Sequence, residues 1–159
     1  MERCNPVTRV AAILCGTLLF AAAATVRAAD PPRGAEQTMV LIVGHDSPVT
    51  HLDVIEVRKL FLGLTVFNNG RQLRPLDNRS DDRLHQAFLQ NVLAMPERAY
   101  ERRLLSLALQ QGAHRPEMFE STAALLNDLA GDPSAVSIAW ATDVAQDTHI
   151  RVLRVLWRD

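Results

Sequence analysis

Side chains able to move protons, hold a metal or attack a carbonyl are scattered through this 159-residue chain. His45, His51, His85, His114 and His149 stand singly. None lies three or four positions from another histidine or recurs with cysteine, the spacing that brings metal ligands together on a helix or knuckle. No glycine-rich phosphate loop, nucleophile elbow or zincin signature occurs. The sequence therefore assigns no catalytic residue, metal or cofactor, and the chain reads as a non-enzyme. The most concentrated polar chemistry is Asp77-Asn78-Arg79-Ser80-Asp81-Asp82-Arg83-Leu84-His85, which leads from an apolar run into an amphipathic pattern. A helix start there presents unpaired N–H groups and the positive end of its dipole. A hydroxyl and two guanidiniums beside it, Ser80, Arg79 and Arg83, are the groups that hold a small oxyanion. The opposing reading is that Asp81 or Asp82 caps the same N–H groups, as carboxylates ordinarily do without any ligand.

The elements that must position this segment follow from periodicity. Met39-Val40-Leu41-Ile42-Val43 is a β-branched apolar run closed by Gly44, the pattern of a strand buried on both faces. Asp53 caps a short helix with Ile55, Val57, Leu60 and Phe61 on its buried stripe, ended by Gly63 in a left-handed conformation. A turn at Asn68-Asn69-Gly70 precedes a strand over 72–76. Leu84, Phe88, Val92 and Met95 recur at helical spacing up to Pro96. Pro96 opens a second helix through Tyr100, Leu104, Leu105 and Leu109 to Gly112, and Ser121 a third through Leu129. Strands over 135–140 and 150–157 complete the order β-α-β-α-α-α-β-β. That order predicts a layered α/β domain with a mixed sheet flanked by helices.

The first 28 residues follow the plan of a cleavable export signal. Arg3 and Arg9 precede an uncharged stretch from Val10 to Ala24, and Val26-Arg27-Ala28 offers a cleavage site after Ala28 or Ala29. Residues 29–38, with Pro31-Pro32 and Gly34, read as a flexible leader, and 39–159 as one α/β domain. Loss of the signal removes three arginines and one glutamate from 17 basic and 18 acidic residues, leaving a net charge of −3. No basic field remains to hold nucleic acid. Cys4 and Cys15 leave with the signal, so a periplasmic chain of this kind is held by its core and not by disulfides.

Several segments, taken together, resemble a known family. They are Val40-Leu41-Ile42-Val43, Ser47-Pro48-Val49, Glu56-Val57-Arg58-Lys59-Leu60-Phe61-Leu62-Gly63 and Asn69-Gly70-Arg71-Gln72-Leu73-Arg74-Pro75-Leu76. Phe88-Leu89-Gln90-Asn91-Val92-Leu93 and Asp132-Pro133-Ser134-Ala135-Val136 extend the match over roughly 39–142. The chain is similar to the small periplasmic proteins related to the phosphate-binding components of ABC importers. The resemblance implies a type II periplasmic-binding-protein-like fold in a single lobe and a solute-binding role in transport or sensing. It implies a phosphate-like oxyanion as ligand and an inner-membrane transporter or other envelope protein as partner. Asp81-Asp82 stand where the family carries a glycine-serine pair, and His85 where it carries an arginine, which adds His85 to Arg79, Ser80 and Arg83 as ligand-binding candidates. The alternative is an interaction module that keeps the fold and has lost the anion pocket.

Overall fold

The structure, a computed structural model, describes residues 37–159. The expected signal over 1–28, and all of the leader except Gln37 and Thr38, lie outside the described residues. The chain runs β1 (Thr38–Gly44), α1 (Val54–Phe61), β2 (Phe67–Asn68), β3 (Arg71–Gln72), β4 (Arg74–Asn78) and α2 (Asp82–Phe88). It continues through α3 (Glu97–Gln111), β5 (Glu117–Phe119), α4 (Thr122–Gly131), β6 (Ala135–Trp140), α5 (Ala141–Val144) and β7 (Ile150–Arg158). Five strands form one mixed sheet in the order β5-β4-β6-β1-β7. β4 runs parallel to β5 and β6, whereas β1 is antiparallel to β6 and β7. β2 and β3 pair as a separate small hairpin, turned by Asn69 and Gly70 at positive φ.

Alternation along β1 divides the core between the two faces of the sheet. Met39, Leu41 and Val43 meet Phe61, Phe88 and Tyr100 on the face covered by α1 to α3. Val40 and Ile42 meet Leu125 and Leu129 of α4 on the other. A strand sandwiched between helix layers must be apolar at every position, which is why 39–43 lacks the usual polar alternation. Phe61 and Phe88 stack edge to face with centroids 4.8 Å apart, tying α1 to α2. The Tyr100 hydroxyl donates to Phe61 O at 3.0 Å, anchoring α3 to the same place.

Local signals act as their chemistry requires. Asp53 and Glu56 form a reciprocal capping box at α1, with bonds of 2.7 and 2.8 Å. Gly63 (φ 82°) and Gly112 (φ 61°) are left-handed just beyond α1 and α3. The amphipathic pattern from Leu84 does not form one α-helix to Met95. After Phe88 it widens into a π-helical turn, Leu89–Leu93, closed by Ala94 in a left-handed conformation. The Arg58 side chain donates to the Val92 carbonyl in this turn. Ile55, Leu105 and Leu109, expected on buried stripes, are exposed instead. Their helices turn Val57, Leu60 and Phe61, and Tyr100, Leu104 and Leu107, to the core. Three residues proved too few to form a periodic pattern for β5, whose place in the sheet comes from pairing with β4.

At the end of β1, a Cβ on Gly44 would lie 2.4 Å from Leu129 O, a backbone atom that cannot step aside. A Cβ on Gly70 would meet nothing within 4 Å, so only its φ of 76° opposes substitution. Gly44→Ala is expected to cost about 2 kcal/mol or more through displacement of α4, and Gly70→Ala about 1 kcal/mol from backbone conformation alone. Urea unfolding of both variants checks this, and a smaller loss for Gly44→Ala would contradict the close packing.

Candidate functional site: the α2 N-terminus

The parallel strands β4 and β6 end side by side, and the chain enters α2 directly from β4. Asn78 fixes the turn between them. Its side chain donates to Ile138 O at 3.0 Å, while its Oδ1 accepts from the Ser80 N–H at 3.1 Å and the Ser80 hydroxyl at 2.6 Å. Thr122 at the start of α4 donates its hydroxyl to Ser80 Oγ at 2.9 Å. Ser80 is thus bonded into the scaffold on both sides.

Asp81 occupies the helix N-terminus. Its Oδ1 accepts from the backbone N–H of Arg83 at 2.6 Å and of Leu84 at 3.1 Å. Its Oδ2 accepts from the Trp140 indole N–H at 3.1 Å. Both oxygens are therefore engaged, and the N–H groups that would face an anion already hold a carboxylate. The surrounding field is acidic. Burial, then the nearby Asp81 charge, push the Asp143 carboxyl above its usual range.

Arg79 is drawn away into an ion cluster beneath α3. Its Nε contacts Asp77 at 2.8 Å, Nη1 contacts Glu97 at 2.7 Å, and Nη2 contacts Glu101 at 3.3 Å. Glu101 also pairs with Arg115. His85 is buried between Asp77, 3.6 Å from Nδ1, and Glu97, 3.7 Å from Nε2. Both distances exceed hydrogen-bonding range, and Asp77 Oδ1 and the two ring nitrogens have no hydrogen-bond partner. Arg83 is exposed. The four candidates thus sit on consecutive turns but do not converge: Arg79 and His85 face the acidic cluster, Ser80 faces Asn78 and Thr122, and Arg83 faces solvent.

Asp77, which opens the polar segment, is joined at this site by Glu97, Glu101 and Trp140, which the sequence did not single out. Each acts across 18 or more positions of chain, except Asp77 on its neighbour Arg79. Trp140 is buried and directs its one polar atom, the indole N–H, to Asp81.

A cavity of about 500 Å³ lies elsewhere, at the opening residues of β4, the opposite end of the strand from Asn78. Among the described residues no group of three or more histidine, cysteine or carboxylate side chains is arranged to hold a metal. No described helix is long and apolar enough to cross a membrane.

No protein-family model and no curated protein matches the sequence. Solved structures match the fold. An ABC-type phosphate transport receptor from Vibrio cholerae superposes with a TM-score of 0.57 at 12% identity, over 76% of this chain and 46% of that one. A putative phosphate ABC transporter substrate-binding protein with bound phosphate from Clostridium perfringens gives 0.56 at 13% identity, over 76% and 45%. PstS from Borrelia burgdorferi gives 0.52 at 8% identity, over 75% and 47%. The chain has the α/β fold of phosphate-transporter substrate-binding proteins and spans about half the length of those it matches.

Burial raises the Asp77 pKa, but the contacts of His85 and Arg79 outweigh it, so the carboxyl titrates below its ordinary value. A depressed folded-state pKa adds stability above the unfolded carboxylate value near about 4, and that stability is lost as pH falls through the folded value. Asp77→Asn is expected to lower stability at pH 7 by about 3 kcal/mol, because the Arg79 guanidinium loses the charge of its most buried partner. The variant should also flatten the decline below about pH 4. Urea melts across pH check both, and an unchanged acid limb would exclude Asp77 as its source.

Proposed function

We propose that this chain is an exported, single-lobe relative of phosphate-binding proteins that works as an interaction module of a periplasmic transport or sensing system and performs no bond-making. The observation that carries this reading is the Asp81 carboxylate, bonded to the Arg83 and Leu84 amides and to Trp140. In chemical terms it stands in for a bound oxyanion. A second carboxylate-rich set consumes Arg79. A lobe whose anion seat is filled from within keeps one shape with or without solute, which suits constitutive docking to an inner-membrane transporter or another envelope protein. The export signal over 1–28 supports a periplasmic location.

The second reading is that Arg79, Ser80, Arg83 and His85 bind phosphate or a similar oxyanion directly. The fold shared with a phosphate-bound substrate-binding protein favours it, as does the exposed Arg83 beside the α2 N-terminus. For phosphate to bind there, the Asp81 carboxylate must leave the amides.

Calorimetry with inorganic phosphate at pH 7 separates the two. The interaction-module reading predicts no saturable heat at about 10 mM, a concentration at which even a weak millimolar site is mostly filled. Saturable heat from the wild-type chain, lost in Arg83→Ala, would establish the oxyanion reading in its place.

A further inference from the structure

None of Arg79, Ser80, Arg83 and His85 lines the cavity at the opening of β4, and among the described residues the one ion-pair link between the two places is Glu101, which pairs with both Arg79 and Arg115. Its volume of about 500 Å³ falls in the range of small-molecule sites. Leu60 and Leu73, both buried, line it together with Leu64 and Pro75. One wall depends on Gly63. A Cβ there would lie 2.8 Å from His114 O, so the missing side chain lets the segment after α3 close against the end of α1.

The charged lining divides by what each group already does. Arg74 is spent: its three guanidinium nitrogens contact Asp132, Asp128 and Glu117. Arg115 is not. Among the described residues only its Nη2 is engaged, with Glu101, which leaves N–H donors on Nε and Nη1. Glu117 accepts from Arg74 through Oε2, and its Oε1 has no partner among the described residues. Both side chains are half-exposed or more. The cavity therefore offers an apolar floor from Leu60, Leu64, Leu73 and Pro75, polar side chains from Thr65, Gln72 and His114, one available guanidinium and one available carboxylate oxygen. A monoanion would meet Glu117 and a monocation Arg115. A dipolar molecule satisfies both, and a hydrocarbon body fills the lining.

We propose that this cavity binds a small zwitterion with an apolar body, the size and chemistry of a leucine-like α-amino acid, its carboxylate on Arg115 and its ammonium on Glu117. Amide chemical shifts of the 15N-labelled chain, followed during titration with L-leucine, test it. Saturable shifts are expected at Leu60, Gly63, Leu64, Leu73 and Glu117. N-acetyl-leucine, which lacks the ammonium, and leucine amide, which lacks the carboxylate, should each bind at least about tenfold more weakly. Arg115→Met should abolish the preference for leucine over its amide, and Glu117→Gln the preference over the N-acetyl form. Those two rim substitutions read out selectivity without touching the core. No saturable shift with leucine up to about 10 mM, equal binding of the blocked analogues, or the same residues responding to inorganic phosphate would each overturn the proposal. Because phosphate at the α2 N-terminus would shift Arg83 and Leu84 instead, the outcome is independent of the reading given to that site.

Discussion

One carboxylate occupies the point where this fold gathers positive potential. Asp81 stands at the junction of β4 and α2, where a peptide dipole and two free N–H groups gather positive potential at the carboxyl ends of parallel strands. Anything negative is stabilised at such a place. Here the negative group is covalently part of the chain, so its local concentration is high and fixed, and Trp140 from β6 holds its second oxygen. A dissolved oxyanion competing for the same N–H groups would have to displace a tethered ligand and then tolerate its charge nearby. The scaffold needs that carboxylate as well, since an uncapped α2 would leave amides unsatisfied beside the core.

The acidic cluster beneath α3 has the same character. Arg79 could serve an external anion only by abandoning Asp77, Glu97 and Glu101, and Asp77 is buried too deeply to be left alone. Its ion pairs instead tie β4 to α3 across the turn that leads into α2. In effect, the polar groups at this end of the sheet connect elements of the lobe to one another. The cavity at the other end of β4 differs because Arg115 and Glu117 keep donors and acceptors unspent. Both ends of this short strand hold charge used up in folding, Arg79 at one and Arg74 at the other, but the cavity end also keeps charged groups with donors and acceptors to spare.

Much of the architecture was legible in the sequence because it rests on local chemistry. The all-apolar run 39–43 announced a strand covered on both faces, and Asp53, Gly63, Gly112 and Ser121 marked helix ends where helix ends occur. The two readings of Asp77 to His85 were both visible, because a helix start enriched in serine, arginine and aspartate supports either a bound anion or a self-made cap. What the sequence did not carry was direction. Whether Arg79 turns toward solvent or toward Glu97 and Glu101 depends on where α3 packs, and whether Asp81 is anchored depends on Trp140, 59 residues away. The exposure of Leu105 and Leu109 was hidden for the same reason: a helix with apolar residues on more than one face does not declare which one the sheet will cover. β5 escaped notice because three residues show no period, and the cavity because its lining comes from three separate stretches of chain.

The most direct test is a crystal structure of the chain grown at high inorganic phosphate. The account predicts the Asp81 carboxylate within hydrogen-bonding distance of the Arg83 and Leu84 nitrogens and of the Trp140 indole, with no phosphate at the α2 N-terminus. A phosphate bonded to those two nitrogens, with Asp81 swung away from them, would contradict it.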